Sequence, residues 1–219
     1  MHKPASCFLP TDLEDIDIDG WDLRCLPGKC AALMAYEREQ IGRFMLPDVV
    51  QGRLRPDFGR LVGIGPRDFG DGTVEAMDVA RGDYVLVRPY DGAAMWGWHP
   101  SRELRLYGLA RNDDGVMQGI PWDDSILMKI DEDEFLPVGG NMLIRRDRIE
   151  HPLLPEEVRP YKDSGIVLAG GIQVSEDFIG RRAYLTTNGP DDLVHLEFTD
   201  EKDLFIAHQS LVWSMQEAA

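Results

Sequence analysis

Cysteines, basic residues, long apolar runs and helical patterns are all scarce in this 219-residue chain, and each scarcity excludes something. Three cysteines (Cys7, Cys25 and Cys30) are an odd number in a chain too long to need staples. That excludes a disulfide scaffold and favours free thiols in a reducing cytoplasm. Lys and Arg total 23 against 39 Asp and Glu, a net charge of −16. Binding nucleic acid needs clustered cations, so no such partner is expected. The Arg145-Arg146-Asp147-Arg148 and Arg181-Arg182 groups, set among acidic residues, read as solvated strand ends. No apolar run approaches the ~20 residues of a bilayer span, so no membrane association is expected. The amino terminus, with Pro4 and Pro10 before acidic residues, lacks the plan of a signal peptide. Apolar stripes of helical period are nearly absent; the best, Tyr36 to Gln40, is too short to matter.

What the chain does have is an internal repeat. Leu26-Pro27 and Leu33-Met34 reappear as Leu136-Pro137 and Leu143-Ile144, 110 positions on. Leu46-Pro47-Asp48 is echoed by Leu154-Pro155-Glu156, and the segment Gly59 to Gly65 by Gly165 to Gly171. The run from Gly82 to Val87 returns as Gly180 to Leu185, and Ser125 to Met128 as Ser210 to Trp213. Landmark order is kept while the offset shrinks to 85, as deletions in connecting loops would produce. With 43% hydrophobic residues, two units of roughly 100 residues can each bury a core.

Strands are expected at 30–36, 59–64, 83–88, 102–109 and 126–130 in the first copy. In the second they are expected at 142–146, 165–169, 182–187, 193–198, 204–208 and 211–215. Each is short, β-branched or aromatic in bias, and bounded by Gly, Pro, Asp or Asn. Short strands at this density, separated by turn signals, predict an all-β fold of barrels or sandwiches. The boundaries expected are an acidic extension over 1–21, a first domain over 22–131 and a second over 132–219. The acidic run Asp131 to Glu134 reads as the linker.

Within each copy the landmarks keep one order. In the first they run Leu33-Met34-Ala35-Tyr36, Gly42-Arg43-Phe44-Met45-Leu46-Pro47-Asp48, Gly59 to Gly65, Val79-Ala80-Arg81-Gly82-Asp83-Tyr84-Val85-Leu86, and Asp124-Ser125-Ile126-Leu127. This ordered set resembles the chaperonin-10 family, the GroES-type co-chaperonins, well over 22–131 and less closely over 134–217. The resemblance implies two tandem GroES-like small β-barrels, the second shortened, in a non-enzymatic protein that forms a homo-oligomeric ring and caps an ATP-bound chaperonin through a mobile loop. The docking loop would span about 37–58 and present Phe44, Met45 and Leu46, flanked by Gly42 and Pro47. Independently of the resemblance, three large apolar residues in a polar, Gly-containing segment suit partner docking better than a core strand.

The second copy departs from the pattern. Its triplet is Pro152-Leu153-Leu154, in a loop over about 147–163, and its counterpart of the 66–78 hairpin is cut to nine residues. Proline stiffens that loop, so the second copy is expected to be a platform with at most a second, weaker docking loop at Leu153 and Leu154. The first copy gains a segment between Tyr90 and Pro121 with Trp96 and Trp98, and Trp122 follows it; extra core is the expected use.

Other motifs carry little. The series Asp15, Asp17, Asp19, Gly20 opens like a calcium loop, but Leu26 stands where a bidentate Glu is needed. Cys25 and Cys30 lack the paired spacing of zinc ligands. Gly63-Ile64-Gly65 is followed by no helix pattern and so makes no dinucleotide site. Five scattered histidines pair with no nucleophile. No enzyme activity, metal or cofactor is therefore expected. The competing class is a viral structural or assembly protein that uses duplicated barrels as spacers in a host cytoplasm.

Overall fold

A computed structural model describes Ile18 and residues 25–34, 40–41, 44–45, 58–68, 71–75, 78–88, 93–94, 116–120, 125–131, 134–155, 158–186, 193–196, 199 and 201–217. Among these residues every element is a β-strand or a short 3-10 turn, and all pairings are antiparallel. The chain divides into two compact units, within Leu9–Ile126 and Leu127–Ala219.

The first unit contains β1 (Cys30–Met34), β2 (Gln40–Ile41), β3 (Phe44–Met45), β4 (Phe58–Ile64), β5 (Arg67–Asp68), β6 (Val74–Glu75), β7 (Tyr84–Val87), β8 (Ala93–Ala94) and β9 (Val116–Ile120). Within a seven-stranded sheet, these strands run in the order β7-β4-β1-β9-β8. Strands β5 and β6 make the hairpin anticipated between Pro66 and Asp78. Its tip is held by the Thr73 amide donating to Asp71 at 2.7 Å. That hydrogen bond stabilises the charged carboxylate and holds Asp71 below the usual carboxylate range.

After β10 (Ile126–Asp131), the second unit contains β11 (Glu134–Pro137), β12 (Asn141–Arg148), β13 (Tyr161–Gly170), β14 (Arg182–Leu185), β15 (Leu193–His195), β16 (Leu204–His208) and β17 (Val212–Gln216). The sheet order is β15-β16-β12-β13-β14-β17. Met142, Ile144, Val167, Val174, Ala183, Leu185 and Ala207 form one buried cluster, against which Phe178, Leu211 and Met215 pack.

The same sheet is built twice, residue for residue. In the first unit Cys30 opposes Ile64, Ala31 opposes Gly63, Ala32 opposes Leu61 and Met34 opposes Gly59. In the second, Met142 opposes Gly170, Leu143 opposes Ala169, Ile144 opposes Val167 and Arg146 opposes Gly165. Both ladders carry a bulge at the corresponding step, which leaves Val62 in one and Leu168 in the other as the extra residue. Each of these is buried, so the added side chain is accommodated in apolar surroundings. The β1–β9 and β12–β16 registers also coincide, as do those of β4–β7 and β13–β14.

These registers correct the equivalences drawn from motifs. Ala31, not Leu33, corresponds to Leu143, an offset of 112 rather than 110. Two residues is one strand period, so the slip preserved the pattern of faces and could not be noticed from apolar spacing. Likewise the Arg88 amide donates to the Ser125 carbonyl where the Thr186 amide donates to that of Leu211, so Ser125 matches Leu211 rather than Ser210. Strand β9 is absent from the expectations, and the strand expected at 102–109 lies outside the described residues.

The acidic run is not a linker. Asp131 opposes Glu134 and closes the β10–β11 hairpin, with Ile130 paired to Phe135 behind it. Gln40, which ends the stretch of helical period too short to matter, lies in β2. Neither sheet closes into a barrel among the described residues.

One turn is legible in both copies. Gly82 and Gly180 sit at φ 96 and φ 80 and donate their amides to Leu61 and Val167 at 2.8 Å. A methyl at Gly180 would meet nothing within 4 Å, so only the backbone conformation opposes a side chain there. Gly180→Ala is therefore expected to cost about 1 kcal/mol. Denaturant midpoints of the two proteins measure this, and an unchanged midpoint contradicts it.

Candidate functional site

The connection between the first two main strands is where both copies place their apolar triplet. In the first unit it leads from β1 to β4 and contains the β2–β3 hairpin, in which Gln40 opposes Met45 and Ile41 opposes Phe44. Two residues, Gly42 and Arg43, connect these strands, a length and a glycine that suit a tight hairpin. Phe44 and Met45 thus belong to a two-strand ladder, while Gly42, Leu46 and Pro47 lie outside the described residues. The Trp96, Trp98 and Trp122 positions and the Asp15–Asp19 series also lie outside them.

In the second unit the equivalent connection, 149–160, leads from β12 to β13. Leu153 is 85% exposed and Leu154 37%. Two further apolar residues that sequence reasoning passed over, Ile149 and Val158, are also exposed. Leu154 donates to the His151 carbonyl at 3.4 Å, closing a turn over Pro152 and Leu153, and Val158 donates to the Pro155 carbonyl at 3.2 Å. Pro152 follows His151 in the first turn, a position where its fixed φ is favourable. Arg159 donates through Nε to the Leu154 carbonyl at 2.9 Å and ties the tip to its base.

That base is a polar and aromatic anchor. Arg148 forms an ion pair with Asp203 through both Nε and Nη2, and donates to the Arg159 carbonyl at 3.0 Å. Its Nη2 also reaches the Tyr161 hydroxyl at 2.7 Å. That hydroxyl lies 3.0 Å from the Lys202 carbonyl and 3.1 Å from Asp203 Oδ1. Burial, followed by the hydrogen bond to Asp203, pushes the Tyr161 phenol up. Phe205 stacks on His195 at 4.4 Å between ring centroids and meets Tyr161 edge-on at 4.9 Å. Arg146 lies 4.9 Å above the Phe205 ring, donates to the Lys162 carbonyl at 2.7 Å and is shifted down by burial.

Of the arginines expected to be solvated, only some are. The Arg145 side chain is half exposed and pairs with Glu201. Those of Arg146 and Arg148 retain 12% and 11% of their exposure, and Arg182 is tied to Asp147 at 3.0 Å. Strand alternation and the remote partners Asp163, Asp203 and Asp147, rather than local charge, decide this.

Among the described residues, no group of three His, Cys, Asp or Glu is placed to hold a metal, and no helix is long and apolar enough to cross a membrane. Cys30 is buried, and burial pushes the partly exposed Cys25 thiol up, away from the reactive thiolate. The two equivalent apolar connections are the site the structure offers. Comparison with protein-family models and with curated proteins finds no match.

Proposed function

We propose that this protein is a co-chaperonin, a ring-forming cap for an ATP-driven chaperonin that assists protein folding in the cytoplasm without catalysing a reaction. The observation that carries the proposal is that the same strand pairings recur in register in both sheets, with an apolar triplet in the same connection each time. The ordered motifs resembling the chaperonin-10 family supply the partner, and each unit then corresponds to a GroES-like β module. Phe44, Met45 and Leu46, flanked by Gly42 and Pro47, dock on the chaperonin. Ordering a loop on binding keeps each contact weak and releasable. A ring that presents many such loops converts weak contacts into firm capping. The net charge of −16 suits a chamber lid that does not adhere to nucleic acid.

Size-exclusion chromatography with a bacterial chaperonin, with and without ATP, tests the proposal. Co-elution only in the presence of ATP is expected, together with protection of residues 37–58 from protease. Failure to co-elute under both conditions would favour a viral structural protein that uses the duplicated sheets as spacers.

A further inference from the structure

We propose that β17 is a self-association edge, at which two molecules of this chain pair antiparallel about a two-fold axis through Ser214. The proposal is independent of the co-chaperonin assignment. One position of the repeat has opposite surroundings in the two units. Ser125 corresponds to Leu211, so Leu127 in β10 corresponds to Trp213 in β17. Leu127 is 1% exposed and Trp213 80%. The difference lies in what runs alongside. Strand β11 pairs antiparallel with β10, Met128 opposing Pro137 and Ile130 opposing Phe135, and the Leu127 carbonyl accepts from the Val138 amide at 3.2 Å. Strand β17 pairs with β14 on one side and ends its sheet on the other. Among the described residues, no strand covers that second side.

An open edge presents backbone groups that can template another strand, and proteins ordinarily guard it with charge, proline or shortness. Strand β17 has none of these: Val212-Trp213-Ser214-Met215-Gln216 is five residues long, uncharged and free of proline. No Asp, Glu, Lys or Arg occurs anywhere from Leu204 to Gln216. Its one irregularity is a bulge, since Ser214 opposes Tyr184 and Val212 opposes Leu185, leaving Trp213 as the extra residue. A bulge can discourage pairing, but this one puts an indole rather than a charge into solvent. Exposed tryptophans are anchors of interfaces.

Charge and the other edges identify the occupant as a second copy. The chain carries a net −16, so two molecules repel except across a neutral surface. The remaining edges of the two large sheets are β8 with two residues, β15 with three, and β11, which starts at Glu134 and ends at Pro137. Among these, the strand best suited to β17 is β17 itself. Full antiparallel overlap of its five residues is centred on the middle one, Ser214. Trp213 of each molecule then opposes Met215 of the other, a sulfur–aromatic pair, and Val212 opposes Gln216, with no like charges facing. Such an isologous contact closes after two molecules. It therefore couples chains, or whole rings, in pairs and does not itself build a ring.

Sedimentation velocity of the full chain over a concentration series reads this contact. Trp213→Lys puts a charge at an exposed edge position and is expected to weaken association roughly tenfold or more, halving the number of chains per assembly. Unchanged circular dichroism certifies its fold. A second variant needs no loss of binding: Ser214→Cys is expected to link chains in pairs on mild oxidation. Directly opposed antiparallel residues have Cα atoms about 4.5–5.5 Å apart, within disulfide reach. Peptide mapping assigns the link to position 214, and the wild type controls for Cys7, Cys25 and Cys30. An assembly of unchanged size in Trp213→Lys, a wild type that is monomeric at every concentration, or the absence of a 214–214 link each overturns the proposal. Neither readout involves a chaperonin, so this contact and the co-chaperonin reading fail separately.

Discussion

Gly171→Ala is expected to destabilise the second unit by about 3 kcal/mol or more. A methyl on Gly171 would lie 2.6 Å from the Gly139 nitrogen and 2.6 Å from the Val138 carbonyl carbon, and closer still to the Gly139 oxygen. All three are backbone atoms, which cannot rotate away as a side chain can. Relief would require the 138–141 turn to separate from the end of β13. That movement would break the Gly171 bond to the Asn141 carbonyl at 2.9 Å and the Gln173 bond to that of Gly139 at 3.1 Å. Gly65 is in the same position in the first unit, with its virtual methyl against the Leu26 carbonyl and 3.0 Å from that of Cys25. Domain stabilities are typically only about 5–15 kcal/mol, so the loss should be visible in any unfolding experiment. Amide exchange of β12 and β13 under mild denaturant localises it. Protection equal to that of the wild type would contradict the close approach, and Gly180→Ala serves as the mild comparison.

Met45→Ser/Leu46→Ser is expected to abolish nucleotide-dependent capping while leaving the fold and the oligomer unchanged. The β2–β3 ladder uses backbone groups, so the substitution at Met45 leaves its pairing with Gln40 available. Burying one large apolar side chain contributes roughly 1.5–3 kcal/mol. Removing two from each loop lowers every contact, and the losses compound around a ring. Pull-down with a chaperonin and ATP, alongside sedimentation of the variant alone, separates docking from assembly. Retained capping would sink the assignment of this segment as the docking loop. A variant that no longer assembles would place it in the subunit contacts instead.

Local chemistry made part of this legible in advance. The Gly-Asp and Gly-Arg turns at Gly82 and Gly180 each need a positive φ, a requirement written in the residue itself. The strand runs at Phe58–Ile64, Tyr84–Val87 and Leu204–His208 fall within a residue or so of where β-branched and aromatic bias put them. Strand β9 escaped because Val116-Met117-Gln118-Gly119-Ile120 has little bias; its partner in β1 gives it strand geometry. The acidic run Asp131 to Glu134 looked like a linker because charge alone does not separate a linker from a hairpin tip. Phe135, fully buried immediately after it, was the available signal.

By itself the sequence determined the all-β class, the order of landmarks in both copies and the presence of an apolar triplet in each first connection. These rest on residue types and neighbour spacing, which act over a few positions. Tertiary structure alone decided the 112-residue register, the burial of Arg146 and Arg148, and the exposure of Leu153 on a fixed turn. Each depends on groups that meet only after folding: β13 opposite β12, Asp203 beside Arg148, and Arg159 against the Leu154 carbonyl. A two-residue slip leaves the apolar pattern of a strand unchanged, so only the paired strand can fix the register.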